Sequence, residues 1–173
     1  MMKTVAFLVL AALGSGCASY RWTSSVPENL RTVRVPSFRN LSKLTETGPV
    51  VTRQVLREFR REGTFRILDD GAALEIQGEI TSAEANGGLA NYRTGSRYHG
   101  GELVVTAKVS VIDKVNGRVL IDNRKYTGEA PFSAGQDNNT ALRDACGRAA
   151  DALAQRIVDD VLAINFKSAK KDK

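Results

Sequence analysis

The sequence holds one histidine, two cysteines, four prolines and one tryptophan in 173 residues, and each scarcity excludes something. A single His is thin provision for acid–base chemistry, which that side chain performs most often. Two cysteines, Cys17 and Cys146, are too few for a disulfide scaffold, and no C-x-x-C or Cys/His cluster offers a zinc site. No run reaches the ~20 apolar residues that a membrane-spanning helix needs. No repeat of roughly 20–50 residues is visible, which excludes a solenoid. The glycines between Gly87 and Gly101 form neither G-x-G-x-x-G nor a P-loop. Carboxylates are scattered, without the pairing that hydrolysis requires. The expectation is a binding or structural protein, not an enzyme, with no metal or cofactor.

What is present is a globular composition: 42% hydrophobic and 25% charged residues, with 25 Lys+Arg against 19 Asp+Glu. One domain is expected at this length.

The N-terminus carries the most specific signal. Met1-Met2-Lys3 gives a positive start, Thr4 to Leu13 is an unbroken apolar run, and Gly14-Ser15-Gly16 leads to Cys17. This is the pattern of a signal peptide, to be excluded from fold reasoning. The junction resembles the lipobox of bacterial lipoproteins, in which the cysteine thiol is acylated and the peptide is cut before it. It departs from that pattern at Gly14, where Leu, Val, Ile or Ala is preferred. Ala18 follows the cysteine instead of Asp, and in the sorting rule that goes with the resemblance this implies the outer membrane. Several acyl chains together make a stable anchor.

The division expected is a signal peptide over 1–16, a lipid-anchored tether over 17–29, a domain over 30–166 and a basic tail over 167–173. In the tether, Tyr20 and Trp22 can sit at the lipid headgroups or pack onto the domain. Leu30 to Phe38 alternates as a half-buried strand ending at Pro36. Thr47 to Glu62 has helical spacing, with Val51, Val55 and Phe59 on one face and Arg53, Arg57, Arg60 and Arg61 on another. Gly63 stops it. Phe65 to Leu68 is a short apolar piece. Leu74 to Thr81 and Leu103 to Val111 alternate as strands, and Asn116-Gly117 signals a hairpin whose partner is Val119 to Thr127. Ala130 to Asn138 reads as a loop. From Asn139, an N-cap candidate, a helix runs to about Phe166 with the stripe Leu142, Cys146, Ala149, Leu153, Ile157, Val161 and Ile164. The fold class expected is α+β: a two-layer sandwich with two helices packed on a four-stranded, mostly antiparallel sheet, in the order strand–helix–strand–strand–strand–helix.

Chemical candidates are few. His99 reads as a surface-loop histidine, and Cys146 as a small hydrophobe of the core. Basic residues offer more. Arg93 and Arg97 flank a loop with Tyr92 and Tyr98 interleaved, Lys114 and Arg118 bracket the hairpin turn, and Arg124 and Lys125 follow on the last strand. Arginine grips phosphate through a rigid fork, so basic loops gathered at one end of a sheet would suit an anionic partner. Outside the cytoplasm that partner is a phosphorylated glycolipid or peptidoglycan, not nucleic acid. The plainer reading is that basic residues in exposed loops aid solubility.

From Gly16-Cys17 onward the chain resembles the LptE family. The likeness is carried by Tyr20-Arg21-Trp22 soon after the cysteine, by Leu30 to Asn40, and by Ala73 to Ile80. It continues through Asn116-Gly117 to Leu120, Tyr126 to Gly128, and the closing Ala141-Leu142, Ala149-Ala150, Leu153-Ala154 and Ile157-Val158. No single piece is specific; their order in a chain of this length carries the resemblance. It implies a small sandwich that plugs the LptD β-barrel, supports that barrel's assembly and helps deliver lipopolysaccharide to the outer leaflet. The place implied is the periplasmic face of the outer membrane. No family motif carries a ligand-binding role onto a residue here, so Arg93, Arg97, Lys114, Arg118, Arg124 and Lys125 are electrostatic candidates only. Thr32 to Asn40, with the helix after it and Gly63 to Asp69, also resembles lipoproteins that activate peptidoglycan synthases and the curli-secretion lipoprotein. Such an activator, or another periplasmic binding lipoprotein, is the alternative. The strand-rich stretch from Leu74 to Thr127 favours LptE.

Overall fold

The computed structural model describes residues 26–86, 100–133 and 138–166. Cys17, Tyr20, Trp22, Arg93, Arg97 and His99 lie outside these. Six strands and two helices follow one another: β1 (Thr32–Arg34), β2 (Arg39–Asn40), α1 (Thr47–Glu62), β3 (Arg66–Ile67), β4 (Leu74–Asn86), β5 (Gly100–Asp113), β6 (Arg118–Ser133) and α2 (Asn138–Ala163). The α+β class and both helices are as the sequence predicts. The strand count is not.

The sheet has six strands in the order β3-β1-β4-β5-β6, with β2 also on β4. The predicted first strand breaks at Pro36, which has no N–H to give a ladder. Its first part becomes β1, and Arg39–Asn40 just beyond it form β2; the two pair with successive stretches of one edge of β4, at Leu74–Glu75 and at Glu79–Ile80. The short piece at Phe65–Leu68 adds β3 beside β1. All three of these small strands run parallel to their neighbours, because α1 supplies the crossover that parallel pairing requires. The long strands β4, β5 and β6 are antiparallel. The chain also joins the fold earlier than expected: Val26, at the end of the predicted tether, is 2% exposed, and Leu30 is buried with it. Strand β6 runs on to Ser133, so the first part of the expected loop at Ala130 is strand.

Both helices cover one face of the sheet. They run parallel to each other, as Arg143–Glu46 at 3.2 Å and Arg57–Asp151 at 2.8 Å show at successive levels. Helix α1 buries Val51, Val55 and Phe59, and ends where Gly63 adopts φ 80°, a left-handed cap that glycine takes without cost. The Phe59 ring meets Phe65 edge-on, with centroids 5.4 Å apart. Helix α2 buries the predicted stripe from Cys146 to Val161, and Ala145, Ala150, Ala154 and Val158 besides. Two buried stripes are needed because α2 lies against both β6 and α1. Its alanines let it approach closely, and the strand below answers with Gly128, where a Cβ would stand 2.0 Å from the Ala149 carbonyl oxygen. Phe38, between β1's continuation and α1, donates its N–H to Thr52 Oγ1 at 2.9 Å. Its ring lies over Gly78 of β4.

Strand β6 forms one edge of the sheet. Arg148 of α2 donates to the Pro131 carbonyl at 2.5 Å, and Arg156 donates to the Thr127 carbonyl. Those guanidiniums occupy backbone acceptors on the edge, and Pro131 offers no donor there, two devices that discourage pairing with another chain.

Candidate functional site

The β5–β6 hairpin sets up the clearest site. Asp113 ends β5 and organises the turn: its carboxylate accepts from the Val115 and Asn116 N–H groups at 3.0 and 2.9 Å and from the Asn116 side chain at 2.7 Å. The turn leaves Lys114 exposed, and Arg118 half-buried at the start of β6. Two large apolar side chains are exposed beside them, Val115 at 59% and Val119 at 56%. Exposed aliphatic side chains alternating with basic ones make this tip amphipathic.

Further along β6 the ladder slips. Asn123 has φ 41°, and the pairing jumps between Val109 and Val111. The Asn123 N–H turns to Ser110 Oγ at 2.9 Å instead of the ladder. Beyond this bulge, consecutive residues project to opposite faces. Arg124 pairs in register with Val109 on the helix side, and its guanidinium reaches Asp160 of α2 at 2.6 Å. Tyr126 Oη donates to the same Asp160 oxygen at 2.8 Å. Burial pushes the Asp160 carboxyl up, but the bonds from Arg124 and Tyr126 outweigh it and hold the group below its ordinary value. The same partnership raises Arg124, first through its hydrogen bond to Asp160. Tyr126 is raised by burial and then by its bond to Asp160.

Between the start of β6 and the end of α2 lies a groove of about 450 Å³. Leu120, Ile121 and Ile164 give it apolar wall, while Arg118 and the Arg124–Asp160 pair give it charge. It combines hydrocarbon with guanidinium, the two features of a phosphorylated amphiphile.

The described basic candidates do not all share one face of the sheet. Lys114, Arg118 and Arg124 do fall at the same end of the β5–β6 hairpin. Lys125 points to the uncovered face of the sheet, directly opposite Lys108 of β5. Neither lysine makes an ion pair among the described residues. Arg93 and Arg97 lie outside the described residues, in the connection that leaves the sheet at Asn86 and returns at Gly100.

Three residues of the groove escaped the sequence reading. Asp160 carries no sequence signal of its own, and Ile164 reads as the last residue of the core stripe. Val119 looked like the first residue of a strand. Valines on both sides of an Asn-Gly turn, with basic neighbours, were the signal available. Cys146 is buried, with Sγ 3.9 Å from Thr47 Oγ1, and burial pushes its thiol up, away from reactivity. Among the described residues, no group of His, Cys, Asp and Glu could hold a metal ion. No helix among them is long and apolar enough to cross a membrane.

Comparison with solved structures finds the same fold in a protein from Xanthomonas campestris, 12% identical, covering 84% of this chain and 94% of that one with a TM-score of 0.56. A protein from Chlamydia trachomatis is 11% identical and covers 79% and 98%, with a TM-score of 0.53. At these identities the likeness shows the fold alone. A minor lipoprotein from Acinetobacter baumannii is also similar, at 15% identity, coverage of 78% and 92%, and a TM-score of 0.49. Comparison with curated protein sequences gives no match. The family model described as LptE, lipopolysaccharide-assembly, matches residues 30–161.

Proposed function

The chain belongs to the LptE family of lipopolysaccharide-assembly proteins, and on that premise we propose that it is a lipoprotein held at the periplasmic face of the outer membrane by acyl chains on Cys17. There it plugs and supports the assembly of an LptD-type β-barrel, and assists the delivery of lipopolysaccharide to the outer leaflet. It has no catalytic step of its own. The observation that carries the lipid-handling part of this reading is the groove between β6 and α2. A lipopolysaccharide presents phosphate beside acyl chains. Arg118 supplies a fork for the first, and Leu120, Ile121 and Ile164 supply apolar surface for the second. The paired Arg124–Asp160 keeps the floor of the groove in place. Arg93, Arg97, Lys114 and Lys125 are further anion-binding candidates.

The test is affinity purification of the tagged protein from detergent-solubilised outer membranes, with mass spectrometry of what stays bound. A stoichiometric large β-barrel protein is the expected partner. A penicillin-binding protein in its place would move the chain to the class of peptidoglycan-synthase activators. No partner, from membranes shown to contain the acylated form, would end the plug reading.

A further inference from the structure

We infer that the open face of the sheet is the surface that lies against the lumen wall of the partner barrel, an inference that rests on the plug reading above. Both α-helices cover one face, and among the described residues no α-helix lies over the other. Strand register determines what that open face displays. Lys108 of β5 stands opposite Lys125 of β6, and both are exposed. Like charges directly opposite each other on paired strands cost stability, and among the described residues no carboxylate pairs with either lysine. The acid in the same row, Glu79, is taken by Arg39 at 3.5 Å. Asp122, at the bulge, accepts instead from the Asn123 side chain at 2.8 Å. Toward the turn, Glu75 is held by Arg34 at 3.4 Å.

Farther from the turn the sign of the face changes. Val104 of β5 stands between Glu84 of β4 and Glu129 of β6, and Glu102 follows in the next row. All three carboxylates are exposed, and none makes an ion pair among the described residues. Four residues of strand separate the lysine row from the Val104 row, about 13 Å. That exceeds the Debye length of about 8 Å, so the two bands do not neutralise each other. At the turn end, Ile112 stands opposite Val119. Along β5 the open face therefore runs aliphatic, then cationic, then anionic. A face kept only for solubility intersperses the two signs.

The chemistry of the partner follows from these bands. The interior of such a barrel is a polar wall built of strands, and two sheets stack face to face about 10 Å apart. Carboxylates of the wall would meet Lys108 and Lys125, and its basic groups would meet Glu84, Glu102 and Glu129. Bands of opposite sign admit one orientation and oppose the reverse one. A face four strands wide and 14 residues long offers about 800 Å², the share of each partner in a standard interface. Seated this way, the sheet turns both helices, and the groove beside α2, away from the wall.

The experiment uses the full-length tagged chain and reads the barrel protein recovered per lipoprotein from detergent-solubilised outer membranes. Lys125→Glu places a carboxylate opposite Lys108, a pairing of opposite charges that should leave the Tm of the mature chain unchanged or higher. In the complex the new carboxylate meets the wall's own, so recovery of the barrel should fall roughly tenfold. Glu129→Lys makes the reverse change in the other band, and should lower recovery to a similar extent. Arg53→Glu, the same charge change on the exposed side of α1, should leave recovery within about twofold. Recovery unchanged by both Lys125→Glu and Glu129→Lys, or an equal loss with Arg53→Glu, overturns the open-face inference and leaves the plug reading standing. A wild-type chain that recovers no barrel overturns both.

Discussion

The carbonyl oxygen of Ala149 stands 2.0 Å from the point where a Cβ on Gly128 would be. Helix α2 and strand β6 touch backbone to backbone at this point, and the Leu153 N atom and Cβ crowd the same position at 2.9 and 2.8 Å. No side-chain rotation relieves a contact with backbone.

Gly128→Ala should therefore push α2 off the sheet and cost about 2 kcal/mol or more of folding stability. Urea denaturation of the two proteins measures it. A change under about 0.5 kcal/mol would mean that the helix can slide without loss.

Thr52 joins α1 to the chain before β2. Its hydroxyl accepts from the Phe38 N–H at 2.9 Å and donates to the Gly48 carbonyl at 2.8 Å. Thr52→Val keeps the shape and strands a buried N–H, so a loss of about 1–3 kcal/mol is expected. Thr52→Ser, which keeps the hydroxyl, should recover most of it. If serine destabilises as much as valine, the hydroxyl is not what matters.

Asp160 holds Arg124 and Tyr126 through one oxygen. Its carboxyl is held below the ordinary value of 3.8 in the folded chain. The ionised form therefore favours folding: the contribution is present above pH 3.8, and is lost as pH falls through the lower folded value. The stability advantage of the wild type over Asp160→Asn should hold across neutral pH and vanish in acid. An advantage that persists in acid would point to shape, not charge. Tyr126→Phe should cost about 1 kcal/mol at neutral pH.

Charge reversal separates the basic candidates. Arg118→Glu should weaken binding of lipopolysaccharide to the mature chain by roughly tenfold or more, since it puts a carboxylate where phosphate would lie. Charge reversal at Arg93 and Arg97 tests that pair in the same titration. Unchanged affinity in every variant would remove the anion-binding role from these residues.

Local order was written plainly in the sequence. The spacing of Val51, Val55 and Phe59 with Gly63 behind them determined α1 and its end, because helix period and a left-handed cap are properties of a few consecutive residues. The alternation through Leu74–Ile80 and Leu103–Val111 determined β4 and β5, and Asn116-Gly117 determined the turn between β5 and β6. Tertiary structure decided what depends on partners distant in the chain. Pro36 ended the first strand, but only the edge of β4 made a further strand of Arg39 and Asn40 beyond it, and β3 exists because Arg66 and Ile67 find β1. The bulge at Asn123 turned Arg124 to Asp160, and left Lys125 facing Lys108 on the other side. Charge on a sequence has no direction. Side-chain destination is set by register and strand polarity, and those are settled only when residues some tens of positions apart pair.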